Sequence, residues 1–180
     1  MTIHSLCPFN IDIRNARPDD IHNIGALVQT CGPYLSHHQP YLYFIYTRYY
    51  FDTCLVATYH GSMIGWCSVL SVARDRYYMH QLGIVPAFRG SGAAFDLFAN
   101  LLGRLRARHG DDFSLEFTND TRNGAVHRLN RKIAETFCME LQRLPDLVPC
   151  MEAGVTEELY RMTPLRELNV HLADRLTVAA

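Results

Sequence analysis

Apolar and polar residues alternate over residues 9–14, with Phe9, Ile11 and Ile13 set against Asn10, Asp12 and Arg14, which predicts a half-buried strand. Pro18, Asp19 and Asp20 then open a helix, because proline is tolerated in a first turn and the acids face the positive end of the helix dipole. Its apolar stripe is Ile21, Ile24, Leu27 and Val28, and Gly32-Pro33 ends it. Pro40 begins an aromatic segment (Tyr41, Tyr43, Phe44, Tyr46, Tyr49, Tyr50, Phe51) that reads as a short helix or a loop wall. Residues 53–58 and 62–70 predict two strands, and the Tyr59-His60-Gly61 turn signal between them makes a hairpin. Residues 77–85 predict another strand, stopped by Pro86. The strongest helix covers residues 93–108, with Ala94, Leu97, Phe98, Leu101 and Leu105 on one face and arginines at its C-terminal end. A strand at 113–118, a helix at 123–133 and strands at 137–141 and 158–162 follow. Thr163-Pro164 predicts the N-cap and first turn of a tail helix over about 164–176. Helices and strands interleaved after an antiparallel start give a mixed α/β class, in a single domain over residues 1–180.

Composition narrows the partners more than the fold. A hydrophobic fraction of 48% with 19% charge supports a buried core. Lys and Arg total 17 against 18 Asp and Glu, so no general field exists to hold a polyanion, and no nucleic-acid partner is expected. No run approaches the ~18–20 apolar residues of a membrane helix, and residues 1–10 lack the basic and apolar regions of a signal peptide. A cytoplasmic protein without a membrane partner is the expectation. The six cysteines (Cys7, Cys31, Cys54, Cys67, Cys138, Cys150) form no C-x-x-C pair and read as reduced packing thiols. The nine histidines show no metal-binding spacing, so no metal is expected. A homodimer through the aromatic rim and the tail helix is compatible with the sequence, although no motif specifies one.

The chemically informative stretch runs from Gln81-Leu82-Gly83-Ile84-Val85-Pro86 into Arg89-Gly90-Ser91-Gly92-Ala93-Ala94. A buried strand leads into a hexad of small residues inside which the strongest helix begins. The first turn of a helix carries unpaired N–H groups and partial positive charge, and small residues let an anion approach them. This is a pyrophosphate cradle by composition, although an ordinary glycine-rich strand-to-helix turn would read the same. Neither the Walker pattern nor Gly-x-Gly-x-x-Gly is present.

Arg89-x-x-Gly92-x-Ala94 after a strand ending in Val85-Pro86 resembles the acetyl-CoA motif of the GCN5-related N-acetyltransferase (GNAT) superfamily. The order of hairpin, strand, glycine turn, long helix, strand, helix and strand is similar to that fold over nearly the whole chain. The resemblance implies a central, largely antiparallel mixed sheet flanked by helices and splayed between its fourth and fifth strands. It implies acetyl-CoA as cofactor, with backbone amides over residues 90–94 (Gly90, Ser91, Gly92, Ala93, Ala94) taking the pyrophosphate and Arg89 as the basic first residue. Leu82 and Ile84 would pair with the pantetheine arm, and Asn123 would stand beside the cofactor. A narrower resemblance is to the L-2,4-diaminobutyrate acetyltransferases of ectoine biosynthesis. It rests on Phe51-Asp52-Thr53-Cys54-Leu55-Val56-Ala57, the upstream Pro40-Tyr41-x-Tyr43, Leu115-Glu116, Thr118 through Asn123 and Ala134, and Glu157-x-Leu159-Tyr160-Arg161. Departures accompany it. The family's aspartate before the Pro-Tyr pair is missing from Pro33-Tyr34-Leu35-Ser36-His37-His38-Gln39. Its Trp-Gln on the fourth strand is His80-Gln81 here, and Asn130 stands where many superfamily members place a tyrosine acid.

Acetyl transfer needs a neutral amine, whereas an alkyl ammonium titrates near pH 10, so a base is required along with stabilisation of the carbonyl oxygen. By family analogy the backbone N–H near Leu82 supplies the latter. Glu116 is the first candidate for the base, since Leu115 and Phe117 flank it and apolar surroundings would raise its basicity; an ion-paired glutamate is the plainer alternative. His80 is the second, or else a packing replacement for the tryptophan. His37, His38, Tyr41, Tyr43 and Gln81 are candidates for the acceptor pocket, with Glu157 as a partner for an ammonium group or a salt-bridged strand residue. The expected reaction is N-acetylation of a small diamino acid such as 2,4-diaminobutyrate. Another small amine (a polyamine or an aminated antibiotic) and a non-catalytic acyl-CoA sensor are the alternatives.

Overall fold

The computed structural model describes residues 6–149 and 156–165. Seven strands form one sheet in the order β1-β2-β3-β4-β5-β7-β6, numbered along the chain. They are β1 (Asp12–Asn15), β2 (Leu55–Tyr59), β3 (Ser62–Ser71), β4 (Arg76–Ile84), β5 (Ser114–Asp120), β6 (Met139–Pro149) and β7 (Thr156–Pro164). Four α-helices accompany them: α1 (Ile21–Thr30), α2 (Pro40–Tyr49), α3 (Ala93–His109) and α4 (Gly124–Thr136). All strand pairings are antiparallel except β4 with β5. The β2–β3 hairpin turns on His60 and Gly61, both at positive φ (47° and 77°), the left-handed pair that a two-residue turn matched to strand twist requires.

Two apolar layers lie on opposite faces of this sheet. Ile24, Leu27 and Val28 of α1 and Tyr43 and Tyr46 of α2 pack with Val56 and Trp66. On the other face Leu97, Phe98, Leu101 and Leu105 of α3 and Ile133 and Ala134 of α4 pack with Leu55, Cys67, Leu115 and Phe117. Consecutive residues Leu55 and Val56 therefore serve different layers, as strand alternation dictates. The aromatic segment after Pro40 is a helix, with proline at its first position and Tyr43, Tyr46 and Thr47 buried.

Three expectations are corrected. The first strand begins at Asp12 instead of residue 9, and Phe9 instead sets its ring against Tyr59 and Phe88 at 5.5 and 5.3 Å. β6 reaches Pro149 rather than ending at 141, because a register shift between Arg143 and Leu147 accommodates Pro145 on an edge strand, where a missing N–H costs no ladder bond. Thr163 and Pro164 are not a helix start: they continue β7 opposite Glu140 and Met139. Residues 166–180, which hold the rest of the expected tail helix, lie outside the described residues, as does Cys150.

The sheet's functional irregularity is at β4. Ser68 pairs with Gln81 and Val69 with Met79, which leaves His80 as an extra residue and makes a β-bulge. Parallel pairing with β5 runs only from Arg76/Ser114 to Met79/Phe117. A bulge bends its strand and increases its twist, and here it coincides with the point where β4 leaves β5. Beyond it, residues 81–84 of β4 pair with β3 alone and residues 118–120 of β5 pair with β7 alone. The expected splay between fourth and fifth strands is thus present, with α3 leaving from its mouth.

Because Leu101 sits fully buried between α3 and the sheet, Leu101→Ala removes apolar contact and leaves a cavity. Urea unfolding should show a loss of about 2–5 kcal/mol with an unchanged m-value; a loss under 1 kcal/mol would contradict this packing.

Candidate active site

The splay opens onto a cavity of about 650 Å³ lined by Leu82, Gly83 and Ile84 of β4, residues 88–92 and 94–95, the loop after α1, and Asn123 and one face of α4. That volume is in the ordinary range for small-molecule sites. Between β4 and α3, Gly90 (φ 76°) and Gly92 (φ 93°) adopt left-handed backbone. At Gly92 a Cβ would also stand 2.7 Å from the carbonyl of Leu6, so two independent constraints require glycine there. The N–H groups of Gly90, Gly92, Ala94 and Phe95 donate to no acceptor among the described residues, whereas Ala93 donates to Ser91 Oγ and Asp96 to the Gly92 carbonyl. Four unclaimed amides at the N-terminus of a 17-residue helix form an anion site by partial charge and by geometry. Asp96, one turn in, is occupied by the N–H groups of Leu6 and Cys7 at 2.8 and 3.1 Å.

Of the residues predicted for the cofactor, Leu82, Ile84, Arg89, Gly90, Ser91, Gly92, Ala94 and Asn123 line this cavity; Ala93 is buried beneath it. Arg89 has a structural occupation: its guanidinium donates to the carbonyls of Cys31 and Gly32 at 3.0 and 3.4 Å, capping the end of α1. Asn123 Oδ1 caps α4 by accepting from Val126 N–H at 3.2 Å. Asn130 lies on the buried face of α4, outside the cavity lining, and its Nδ2 has no partner among the described residues.

Across the sheet from α3, the bulge changes which side chains share a face. Strict alternation would send His80 and Gln81 to opposite sides; instead both reach the α1–α2 layer. His80 Nδ1 is hydrogen-bonded to the Tyr46 hydroxyl at 2.7 Å, and Gln81 accepts from Trp66 Nε1 at 3.1 Å while donating to the Ser36 carbonyl at 2.7 Å. The 31–39 loop is thereby held over β4, with Leu35 and Cys31 packed where a side chain at Gly83 would stand. His38 turns into this cluster, its ring 4.9 Å from that of His80, and its backbone N–H donates to the Tyr43 hydroxyl. His37 turns away, toward Gln29 Nε2 at 3.4 Å. Tyr41 is 71% exposed and stacks on Phe44, so it does not join the cluster. Burial, with His38 adding to it, lowers the His80 imidazole to about 4, and burial also lowers His38. Burial raises the phenols of Tyr43 and Tyr46, which stay protonated.

A second polar group lies further along the gap, on β5 and β7. The expected apolar surround of Glu116 is not what the structure has: Arg161 Nε and Nη2 both donate to Glu116 Oε1, at 2.9 and 2.8 Å. Cross-strand register explains it, since Glu116 pairs with Arg161, and Asp120 with Glu157. Glu116 Oε2 accepts from no described residue. Tyr78, opposite Glu116 on β4, is hydrogen-bonded to Thr118 at 3.2 Å; burial raises its phenol, and the charges of Glu157 and Glu116 push the same way. Sequence reading missed Tyr46, Tyr78 and Arg161 as site residues. The i+3 spacing of Tyr43 and Tyr46 on one helix face was the available signal for the first, whereas the other two are brought in by strand order alone.

An open strand edge and a helix terminus with unclaimed amides thus border one cavity, and a polar cluster lies across the gap from it. A family model, acetyltransferase (GNAT) family, matches residues 21–132, and the chain belongs to this family. It is an N-acetyltransferase that uses acetyl-CoA as donor. Two L-2,4-diaminobutyric acid acetyltransferases are similar to it. That of Shouchella clausii is 26% identical over 137 residues, 73% of this chain and 76% of the relative. That of Vibrio cholerae is 27% identical over 122 residues, 67% and 69% of the two chains. A diaminobutyrate acetyltransferase from Paenibacillus lautus, solved with L-2,4-diaminobutyric acid and coenzyme A, has the same fold, with a TM-score of 0.76 and 21% identity over 87% of this chain and 96% of that one.

The buried imidazole makes stability pH-dependent in a defined direction. Unfolded His80 titrates near 6.5 and folded His80 near 4, so between these values the unfolded chain binds the proton and the folded chain does not. Stability is therefore complete above pH 6.5 and falls toward pH 4, by at most about 1.4 kcal/mol per pH unit for this group. Urea midpoints measured from pH 7.5 down to 4.5 should fall less steeply in His80→Phe than in the wild type; parallel slopes would remove His80 from the account.

Proposed function

We propose that the enzyme N-acetylates one amino group of a short diamino acid, 2,4-diaminobutyrate being the favoured acceptor, as a step toward ectoine. The observation that carries this is that Glu116, ion-paired with Arg161, and Glu157 both lie close enough to Tyr78 for their charges to raise its phenol. A diamino acid offers an ammonium for Glu157 and a carboxylate for Arg161, whereas a polyamine has no use for the arginine. The two similar diaminobutyric acid acetyltransferases support the same reading. The loop that holds an aspartate in the family segment presents His38 here, so recognition of the ammonium passes to the sheet carboxylates. The five described cysteines are free thiols, in keeping with a cytoplasmic reaction.

Bound along the splay, acetyl-CoA supplies an acyl group activated as a thioester. Glu116 is anchored through one oxygen, and Oε2 remains to take a proton from the incoming ammonium, directly or through water. The bulged β4 backbone near Leu82 donates N–H to the carbonyl oxygen as negative charge develops there. His80, neutral at physiological pH and held by Tyr46, borders the acceptor without adding a positive charge that would repel its ammonium.

Release of coenzyme A thiol, followed with 2,4-diaminobutyrate, ornithine, lysine, putrescine and an aminoglycoside, tests this directly. Diaminobutyrate should give the highest kcat/KM, and Glu116→Gln should lower kcat by about 10²-fold or more. Preference for putrescine or the aminoglycoside would overturn the substrate assignment. Tight acetyl-CoA binding with no amine turned over would indicate a sensor.

A further inference from the structure

The cofactor cavity holds more positive charge than its helix terminus needs. Among the described residues its lining contains Arg89, Arg128 and Lys132 and no carboxylate. Arg89 is committed to the α1 carbonyls. Arg128 and Lys132, one turn apart on α4, make no ion pair with any described residue. With Ala125 and Leu129 they form a single helix face, and that face is the one turned to the cavity. Lys132 Nζ lies 5.6 Å from the centroid of the Phe95 ring, a side chain carried on the first turn of α3. The Arg128 guanidinium lies 3.4 Å from where a Cβ on Gly124 would stand, folded back over the start of α4.

Coenzyme A carries two kinds of phosphate. Each phosphoryl of the diphosphate has about one charge and suits neutral amide donors. The 3′-phosphate is a monoester, close to dianionic at neutral pH, and calls for full cations. We propose that Arg128 and Lys132 form a subsite for the 3′-phosphate, distinct from the amide nest that takes the diphosphate. The proposal rests on acetyl-CoA as the donor and is independent of which amine is acetylated. The two cations discriminate coenzyme A from its dephosphorylated precursor and from dinucleotides, which lack that group.

Titration calorimetry of the full chain with coenzyme A and with 3′-dephospho-coenzyme A, in the absence of any amine, tests it. The wild type should bind coenzyme A about tenfold more tightly, with the ratio shrinking as salt is raised. Arg128→Gln combined with Lys132→Gln should bring the ratio to about one while leaving the affinity for the dephosphorylated form nearly unchanged. Arg131→Gln, on the same helix but outside the cavity lining, should keep the wild-type ratio and controls for general charge. Equal wild-type affinities would overturn the proposal. So would a double variant weakened equally toward both ligands, because the cations would then serve the shared diphosphate. Failure of both ligands to bind would overturn the cofactor assignment with it, whereas loss of amine turnover alone would touch only the acceptor assignment.

Discussion

The parting of β4 from β5 is the constraint on which the rest of the site depends. Backbone N–H and C=O groups inside a sheet must find partners. After Met79 and Phe117 the two strands withdraw from each other and leave the facing edges of residues 80–84 and 118–120 without a strand to pair with. A single extra residue, His80, marks that departure. The same bulge sets His80 and Gln81 on one face, and Gln81 then anchors the 31–39 loop through the Ser36 carbonyl. One local irregularity thus opens a strand edge toward α3 and α4 and sets a hydrogen-bonded polar cluster toward α1 and α2.

Electrostatics on the two sides of the gap are opposite in sign. On the cofactor side, partial charges of backbone amides and the α4 cations meet no carboxylate in the lining. Across the gap Glu116 and Glu157 lie near Tyr78, and Arg161 balances the first. A chain with a net charge of -1 can hold a polyanionic carrier because the positive potential is local to one helix terminus and one helix face. The neutral state of His80 fits the same division, since a cation there would repel an incoming ammonium.

Much of this was legible in the sequence for identifiable reasons. Periodicity locates α3 and the buried strands because most of the chain obeys the alternation rules, and the hexad at residues 89–94 marks the strand-to-helix turn because left-handed backbone at positions 90 and 92 favours glycine. The acceptor side was less legible. Alternation says that Glu116 points away from Leu115 and Phe117, but not that Arg161, 45 residues later, will face it across β7. Arg89 reads as a phosphate ligand from its motif position and lines the cavity, but its Nη2 contacts to the Cys31 and Gly32 carbonyls are set by tertiary packing and are not legible in the sequence. The strand predicted over residues 137–141 runs on to Pro149, because an edge position with a register shift absorbs Pro145.

The central claim, that the open β4 edge and the α3 terminus together hold the donor, is tested most directly by amide resonances followed as coenzyme A is added. The account predicts that the N–H signals of Gly90, Gly92, Ala94 and Phe95 shift downfield and gain exchange protection together with those of residues 80–84, while the β1–β2 ladder does not respond. Saturable binding that leaves the signals of residues 90–95 unmoved would contradict it.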